Sequence, residues 1–512
     1  MRYRPRLIFS ATISGPTPST HRPGPLPAHV NSPWPKLHPT IDRQAEVNNS
    51  DPNNTSAASM PDPDNEPPLD RARHLKYWSR CLRSLLPHHY TSSDSNRMAL
   101  SYFILSAIDL LSPSPDLLTP TDRLHFRHWI LSCRHSGGGF CGSPTMTLPP
   151  HAYSGWDFAS KTPEMGHPGA ANIAATAFAL ILLALLAPSS TPETAFVGVD
   201  TAATLAWLRR LQRPDGSFGE VLARVEGKEG LVVGGGRDMR YCYFAAVVRW
   251  MLRGREGGEK DIDVDALVGY IAKSRTYDGG IAESSMHEPH SGYAYCALGA
   301  LAMLDRRDGG EKRFDAMERA FPDVQGLVRW LVSRQFVYVD RAEDEDDDDG
   351  DNFTFSELET EDPCVAFNGR CNKVADTCYC WWVSGALALL PPVDDGSNVD
   401  LLIPRSAARR FLMEKTQHMI GGFAKHPGGP PDLYHSYLGL AALATMGEPG
   451  LKEFDAALAV SKETAAKIEA ARNGLPGAGK SKRTDESGTA LLNLGIEIRG
   501  QRPPWLPVGA AG

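Results

Sequence analysis

The sixteen residues FNGRCNKVADTCYCWW, 367–382, bring Arg370, Lys373, Asp376, Cys378 and Tyr379 close together in the chain. Asp376 and Cys378 can offer one oxygen and one sulfur to zinc, a borderline-soft ion that accepts O, N and S donors. A third ligand is available in His435, within PDLYHSYLGL, if the two segments meet in space. Three protein ligands would leave a fourth position open, which a catalytic zinc needs and a structural one does not. Taken alone, Asp-x-Cys more often marks a helix N-cap followed by a buried Cys. Arg370, Lys373, the Tyr379 phenol and the imidazole of His290, in HEPHSGYAYC, have the chemistry to receive a diphosphate leaving group. Singly, each of these reads as a surface charge or a cap; a shared rim would make them a site.

That rim requires particular elements. From His74 onward the hydrophobic pattern predicts helices in two recurring classes. One class is amphipathic and ends in a Gly turn: HWILSCRHSGGGF, LAWLRRLQRPDGSF, LVGYIAKSRTYDGGI and RRFLMEKTQHMIGGF. LVRWLVSRQ is a fifth copy, its turn displaced to about Gly369 by an acidic insertion. The second class is apolar nearly all round, and its six members are RMALSYFILSAIDLL, ANIAATAFALILLALL, RYCYFAAVVRWML, GYAYCALGALAML, TCYCWWVSGALALL and HSYLGLAALATM. A helix apolar on every side must be covered on every side. Two concentric rings satisfy this, which predicts an all-α fold, an α/α toroid built as a six-hairpin α-α barrel. Such a ring closes on itself and forms one domain.

Composition limits what lies outside it. Fourteen of the 40 Pro fall in the first 70 residues, so residues 1–71 are expected to be a disordered N-terminal extension. This start is free of acids and bears Arg, Ser and Thr, a pattern shared with transit peptides. The toroid is expected over 72–450, with an acidic insertion at 340–362 and a mostly mobile C-terminal tail at 451–512 that contains one helix. The formal charge of −8 arises in that insertion, and gives no reason to expect a nucleic-acid partner. Nine Cys without a CxxC pair point to a reducing, cytoplasmic setting. The apolar stretch 173–187 is shorter than the roughly 20 residues a bilayer needs, so no transmembrane segment is expected.

Together these segments resemble the β subunits of protein prenyltransferases, relatives of the terpene cyclases that share the α/α toroid. The resemblance runs from about His74 to Met446 and rests on D-x-C with a distant His, H-x-G, G-R-x-x-K, the Tyr after the Cys, and DMRYCY. It implies one Zn²⁺ per β subunit, held by Asp376, Cys378 and His435, and a diphosphate pocket of His290, Arg370, Lys373 and Tyr379. Arg240 of DMRYCY would line the cavity. Tyr102, Phe103, Tyr295, Trp381 and Trp382 would line an isoprenoid funnel, with plain core packing the alternative for about half of them.

Two positions separate the family's members. Farnesyl-transferring relatives carry a bulky Trp two residues after the Arg of the first inner helix; here Ala99 follows Arg97, leaving room for a C20 chain. Farnesyl and Rab-type enzymes carry an Asp that helps hold Mg²⁺ ten residues before the zinc His. This chain has Lys425 there, in the AKxP context of the type I geranylgeranyl enzyme. A built-in ammonium can replace the metal's charge, so Mg²⁺ is not expected to be required. Tyr434, which would shape the peptide pocket, is instead farnesyl-like. The resemblance thus implies transfer of geranylgeranyl from geranylgeranyl diphosphate to the Cys of C-terminal CaaX proteins such as small GTPases. The chain would act in an obligate heterodimer with a helical-repeat α subunit. The alternatives are a farnesyl or Rab-type β subunit and a non-catalytic zinc-stabilised scaffold. A terpene cyclase is disfavoured because its DxDD motif, at 344–347, falls within the acidic run.

Overall fold

A computed structural model describes residues 67–112, 117–146, 171–223, 230–252, 261–307, 314–339, 363–392 and 398–475. Residues 1–66, the acidic stretch 340–362 and residues 476–512 lie outside this set. Helices come in pairs along the chain. Helix α1 (Arg71–Arg83) precedes α2 (Arg97–Leu111), α3 (Pro120–Ser132) precedes α4 (Ile173–Leu185), and α5 (Thr201–Arg210) precedes α6 (Met239–Met251). The order continues with α7 (Val264–Lys273) and α8 (Ser291–Asp305), the short α9 (Asp315–Ala320), then α10 (Gln325–Val332) and α11 (Thr377–Leu389). After α12 (Asn398–Leu402), α13 (Arg405–Arg410) precedes α14 (Leu433–Thr445), and α15 (Lys462–Gly474) ends the described chain.

The second members are the apolar helices, and they form the inner ring. Each touches the next, α2 to α4, α6, α8, α11 and α14, and α14 returns to α2. Helix α4 shows why: twelve of its thirteen residues are buried, leaving no face for solvent. The first members carry the amphipathic pattern and cover the ring from outside. Among the described residues this is the expected α/α toroid.

Each outer-to-inner crossing uses the same device. The chain folds back through Gly in left-handed conformation, such as Gly138 (φ 97°) and Gly279 (φ 95°), and closes with a single bridge. The bridges are Arg134–Phe140, Gln212–Phe218, Arg275–Ile281 and Gln417–Phe423. The fifth copy uses the same pairing, Gln335 with Phe367, as the base of a longer antiparallel hairpin. The acidic segment is thus inserted between β3 (Gln335–Tyr338) and β4 (Cys364–Phe367), and the bridge closes at Phe367 rather than Gly369.

Two other short hairpins, β1 (Val221–Ala223) with β2 (Val232–Gly234) and β5 (Phe454–Asp455) with β6 (Val460–Ser461), add small sheets to the helical frame. Strands of two to four residues are too short to register as sequence alternation. Residues 451–475, assigned to the tail from sequence, pack on the barrel. Leu458, Val460, Ala465 and Ile468 are buried. Lys452 Nζ reaches Asp109 of α2 at 2.8 Å, and Arg306, just past α8, meets Asp455 at 2.8 Å. The β5–β6 turn therefore enters from the C-terminal end of the inner helices. Four tyrosines from four of those helices donate to its carbonyls. Tyr102 and Tyr437 bond to Ala459 at 2.6 Å, while Tyr243 bonds to Ala457 and Tyr295 to Ala456 at 2.8 Å.

Candidate metal centre and active site

The six inner helices run parallel, so their N-termini form one rim. Most of their caps are side chains of the kind that does chemistry. Asn172 caps α4, Asp238 caps α6, His290 caps α8, Asp376 caps α11 and Asp432 caps α14. The two meanings of Asp-x-Cys therefore coexist. Asp376 Oδ1 accepts from the Cys378 backbone N–H at 2.9 Å, and its carboxylate still faces His435, whose Nε2 lies 3.2 Å from Oδ1.

Asp376, Cys378 and His435 converge at this point. One donor atom from each falls within 4.8 Å of the other two, and all three residues are buried. Oxygen, sulfur and nitrogen donors so close together fit a tetrahedral zinc ion with one position left for a ligand. Asp432, which sequence reasoning missed, completes the arrangement. Its Oδ1 caps the His435 N–H at 2.9 Å, and its Oδ2 lies 2.6 Å from Nδ1, turning Nε2 toward the centre. A carboxylate behind a His is the usual way a metal-ligating imidazole is oriented. The signal was present in Asp-x-x-His, which sets a cap beside the third helical residue.

The electrostatics follow from this crowding. Burial alone would raise the Asp376 carboxyl, but its bonds with His435 and Cys378 hold it near 2. Burial works against a charged His435, yet the two carboxylates outweigh it and pull the imidazole up to about 9. Burial, reinforced by Asp376, pushes the Cys378 thiol well above its usual range. In an ion-free centre the protons reside on sulfur and imidazole, and a divalent cation would displace them.

Beside the centre, Tyr379 and His290 form a directed pair. Gly292 N–H donates to His290 Nδ1 at 3.0 Å, so the ring proton sits on Nε2, 3.1 Å from the Tyr379 oxygen. Tyr379 accepts that bond and keeps its own O–H to donate elsewhere. Burial and the nearby Arg370 hold His290 down at about 4, so it is a neutral donor at pH 7. Gly369 makes room for the pair, because a Cβ there would lie 2.3 Å from the Tyr379 ring. Arg370 is partly exposed and paired with Glu288 at 2.6 Å. Lys373 is exposed on the same loop, held by Asn368 Nδ2 donating to its carbonyl at 3.1 Å. Lys425 Nζ is 3.7 Å from Asp376 Oδ2.

Deeper in, Ala99 is half-buried one turn from Phe103 on the same face of α2. The Phe103 ring meets Tyr434 edge-on at 5.8 Å. Trp382 packs against Tyr295 at 5.1 Å and donates its indole N–H to the Tyr434 oxygen at 3.1 Å. Trp381 differs: it is sealed against Phe454 of the floor hairpin, as core packing. Arg240 folds back onto its own cap, with Nε 2.9 Å from both oxygens of Asp238.

The described fold and rim match a known class. Residues 69–460 fit the model of the prenyltransferase α/α toroid domain, so the chain belongs to that family, and within it to the β subunits of protein prenyltransferases. It is 29% identical over 394 residues to the geranylgeranyl transferase type-1 subunit beta of Arabidopsis thaliana, covering 75% of this chain and 86% of the relative. It is 26% identical over 404 residues to the protein farnesyltransferase subunit beta of Pyricularia oryzae, covering 74% and 63%. Among solved structures it resembles the Candida albicans protein geranylgeranyltransferase-I complexed with GGPP. That match has a TM-score of 0.58 at 25% identity and covers 78% of this chain and 98% of the other. Among the described residues no helix is long and apolar enough to cross a membrane.

Proposed function

We propose that this chain is the catalytic β subunit of a type I geranylgeranyltransferase, which transfers a C20 isoprenoid to the Cys thiol of proteins with a C-terminal CaaX sequence. The observation that carries the choice is Lys425, whose ammonium stands 3.7 Å from the carboxylate of the candidate metal centre. A fixed cation here does the work that a Mg²⁺-holding acid would otherwise make necessary. Similarity to the Arabidopsis subunit and to the Candida enzyme solved with GGPP supports the same reading.

Asp376, Cys378 and His435 would hold one zinc ion, with Asp432 setting the tautomer of His435. When bound, zinc supplies Lewis acidity that lowers the pKa of an incoming thiol. The peptide sulfur attacks C1 of the lipid diphosphate; an S–C bond forms, the C–O bond breaks, and diphosphate leaves with the electron pair. Arg370, Lys373 and Lys425 meet the growing negative charge, and Tyr379 donates the O–H that His290 leaves free. Glu288 holds Arg370 in place until a more highly charged partner arrives. Ala99, Phe103, Tyr434 and Arg240 shape the lipid and peptide cavity. As in the family it resembles, the chain is expected to act with a helical-repeat α subunit.

A second reading, a farnesyltransferase β subunit, is favoured by one feature, the aromatic Tyr434 beside His435. The deciding experiment co-expresses the chain with an α subunit and measures turnover of C15 and C20 donors against CaaX peptides ending in Leu or Ser. Preference for the C20 donor supports the type I assignment, and preference for C15 overturns it.

A further inference from the structure

Tyr434 is fully enclosed between the first inner helix and the candidate metal centre. Its phenol oxygen has two polar neighbours. The Trp382 indole can only donate, so at 3.1 Å its N–H fixes the Tyr434 oxygen as acceptor. The second neighbour is the side chain of Cys378, hydrogen-bonded to the same phenol. With its oxygen engaged by the indole, Tyr434 has one hydrogen left, and that hydrogen points at sulfur. The ring cannot swing away, because Phe103 stands edge-on at 5.8 Å and His435 at 4.9 Å.

We infer that Tyr434 is a positioning residue for the metal centre, donating its O–H to the Cys378 sulfur along a relay that begins at the Trp382 indole. The inference rests on Asp376, Cys378 and His435 being a metal site. A bond to a metal-bound sulfur withdraws electron density from it, and such outer partners tune a metal as surely as its ligands do. The relay also gives the aromatic residue before His435 a task separate from shaping a peptide pocket, one that an aliphatic side chain there could not perform.

The test uses the assembled α/β complex loaded with Co²⁺ in place of zinc, and reads the sulfur-to-cobalt charge-transfer band. Tyr434→Phe keeps the ring and removes only the donor. Without that bond the sulfur lone pair rises in energy, so the band should move to longer wavelength. Trp382→Phe, which frees the phenol to reorient, should move it the same way by less. Tyr437→Phe removes a buried hydroxyl that bonds to the Ala459 carbonyl, and should leave the band in place. An unshifted band in cobalt-loaded Tyr434→Phe would overturn the relay and leave the metal site intact. Absence of any such band in the unmutated complex would overturn the metal site and the relay with it.

Discussion

Lys425 Nζ lies 3.7 Å from Asp376 Oδ2, so the ammonium and the metal-facing carboxylate share one wall of the rim. A charge fixed there does not depend on a second, exchangeable cation. The unmutated complex should therefore turn over at full rate in Mg²⁺-free buffer. Lys425→Ala should lower kcat by about 10²-fold, the usual scale for loss of one group that meets charge developing in a transition state. Lys425→Asp should regain part of that rate when Mg²⁺ is added. Steady-state kinetics with and without Mg²⁺ check all three outcomes.

Asp432 serves two backbone and side-chain functions that can be separated. Asn caps helices as well as Asp does, so Asp432→Asn should fold normally and keep the 2.9 Å bond to the His435 N–H. It loses the charge at Nδ1, and metal affinity should fall about 10- to 100-fold. Cys378→Ala should abolish binding. Competition against a chromophoric chelator measures both.

Ala99 and Phe103 lie one turn apart on the face that leads to Tyr434. Ala99→Trp should fill the space above Phe103 and shift donor preference toward C15. The ratio of kcat/KM for the two donors is the measurement.

His290 gives a pH signature of opposite sign to that of a salt-bridged His. Its folded-state value is about 4, below the ordinary 6.5. Between these values the unfolded chain binds the extra proton, so stability from this group is complete above pH 6.5. It is lost as pH falls toward 4, by on the order of 3 kcal/mol. His290→Asn should keep a helix cap and remove this dependence. Urea midpoints at pH 7 and pH 5 should differ less for the variant than for the unmutated chain.

Much of the site was readable in the sequence because its residues also end loops and start helices. Asp376, His290 and the residues around His435 stand where the helical pattern begins, and parallel inner helices put those starting points on one rim. Asp432 was harder to see because its capping role fully explains an Asp at that position. Glu288 escaped because its partner, Arg370, is 82 residues away and nothing local demands the pairing. The hairpin at 454–461 escaped for a related reason. DAALAV is short and Ala-rich, and its order comes from tyrosines on distant helices rather than from its own pattern. The acidic segment, by contrast, could be recognised as an insertion because Gln335 and Phe367 keep the pairing that every other repeat makes.

The four tyrosines that fasten residues 456–459 give the barrel a blind end. A tube with a single doorway imposes an order on traffic. A long greasy guest must enter tail-first through the rim where bond-making occurs, and its modified form must back out through the same opening. Arrival of the next guest and departure of the last therefore compete for one passage, and the pace of exchange is set at the rim.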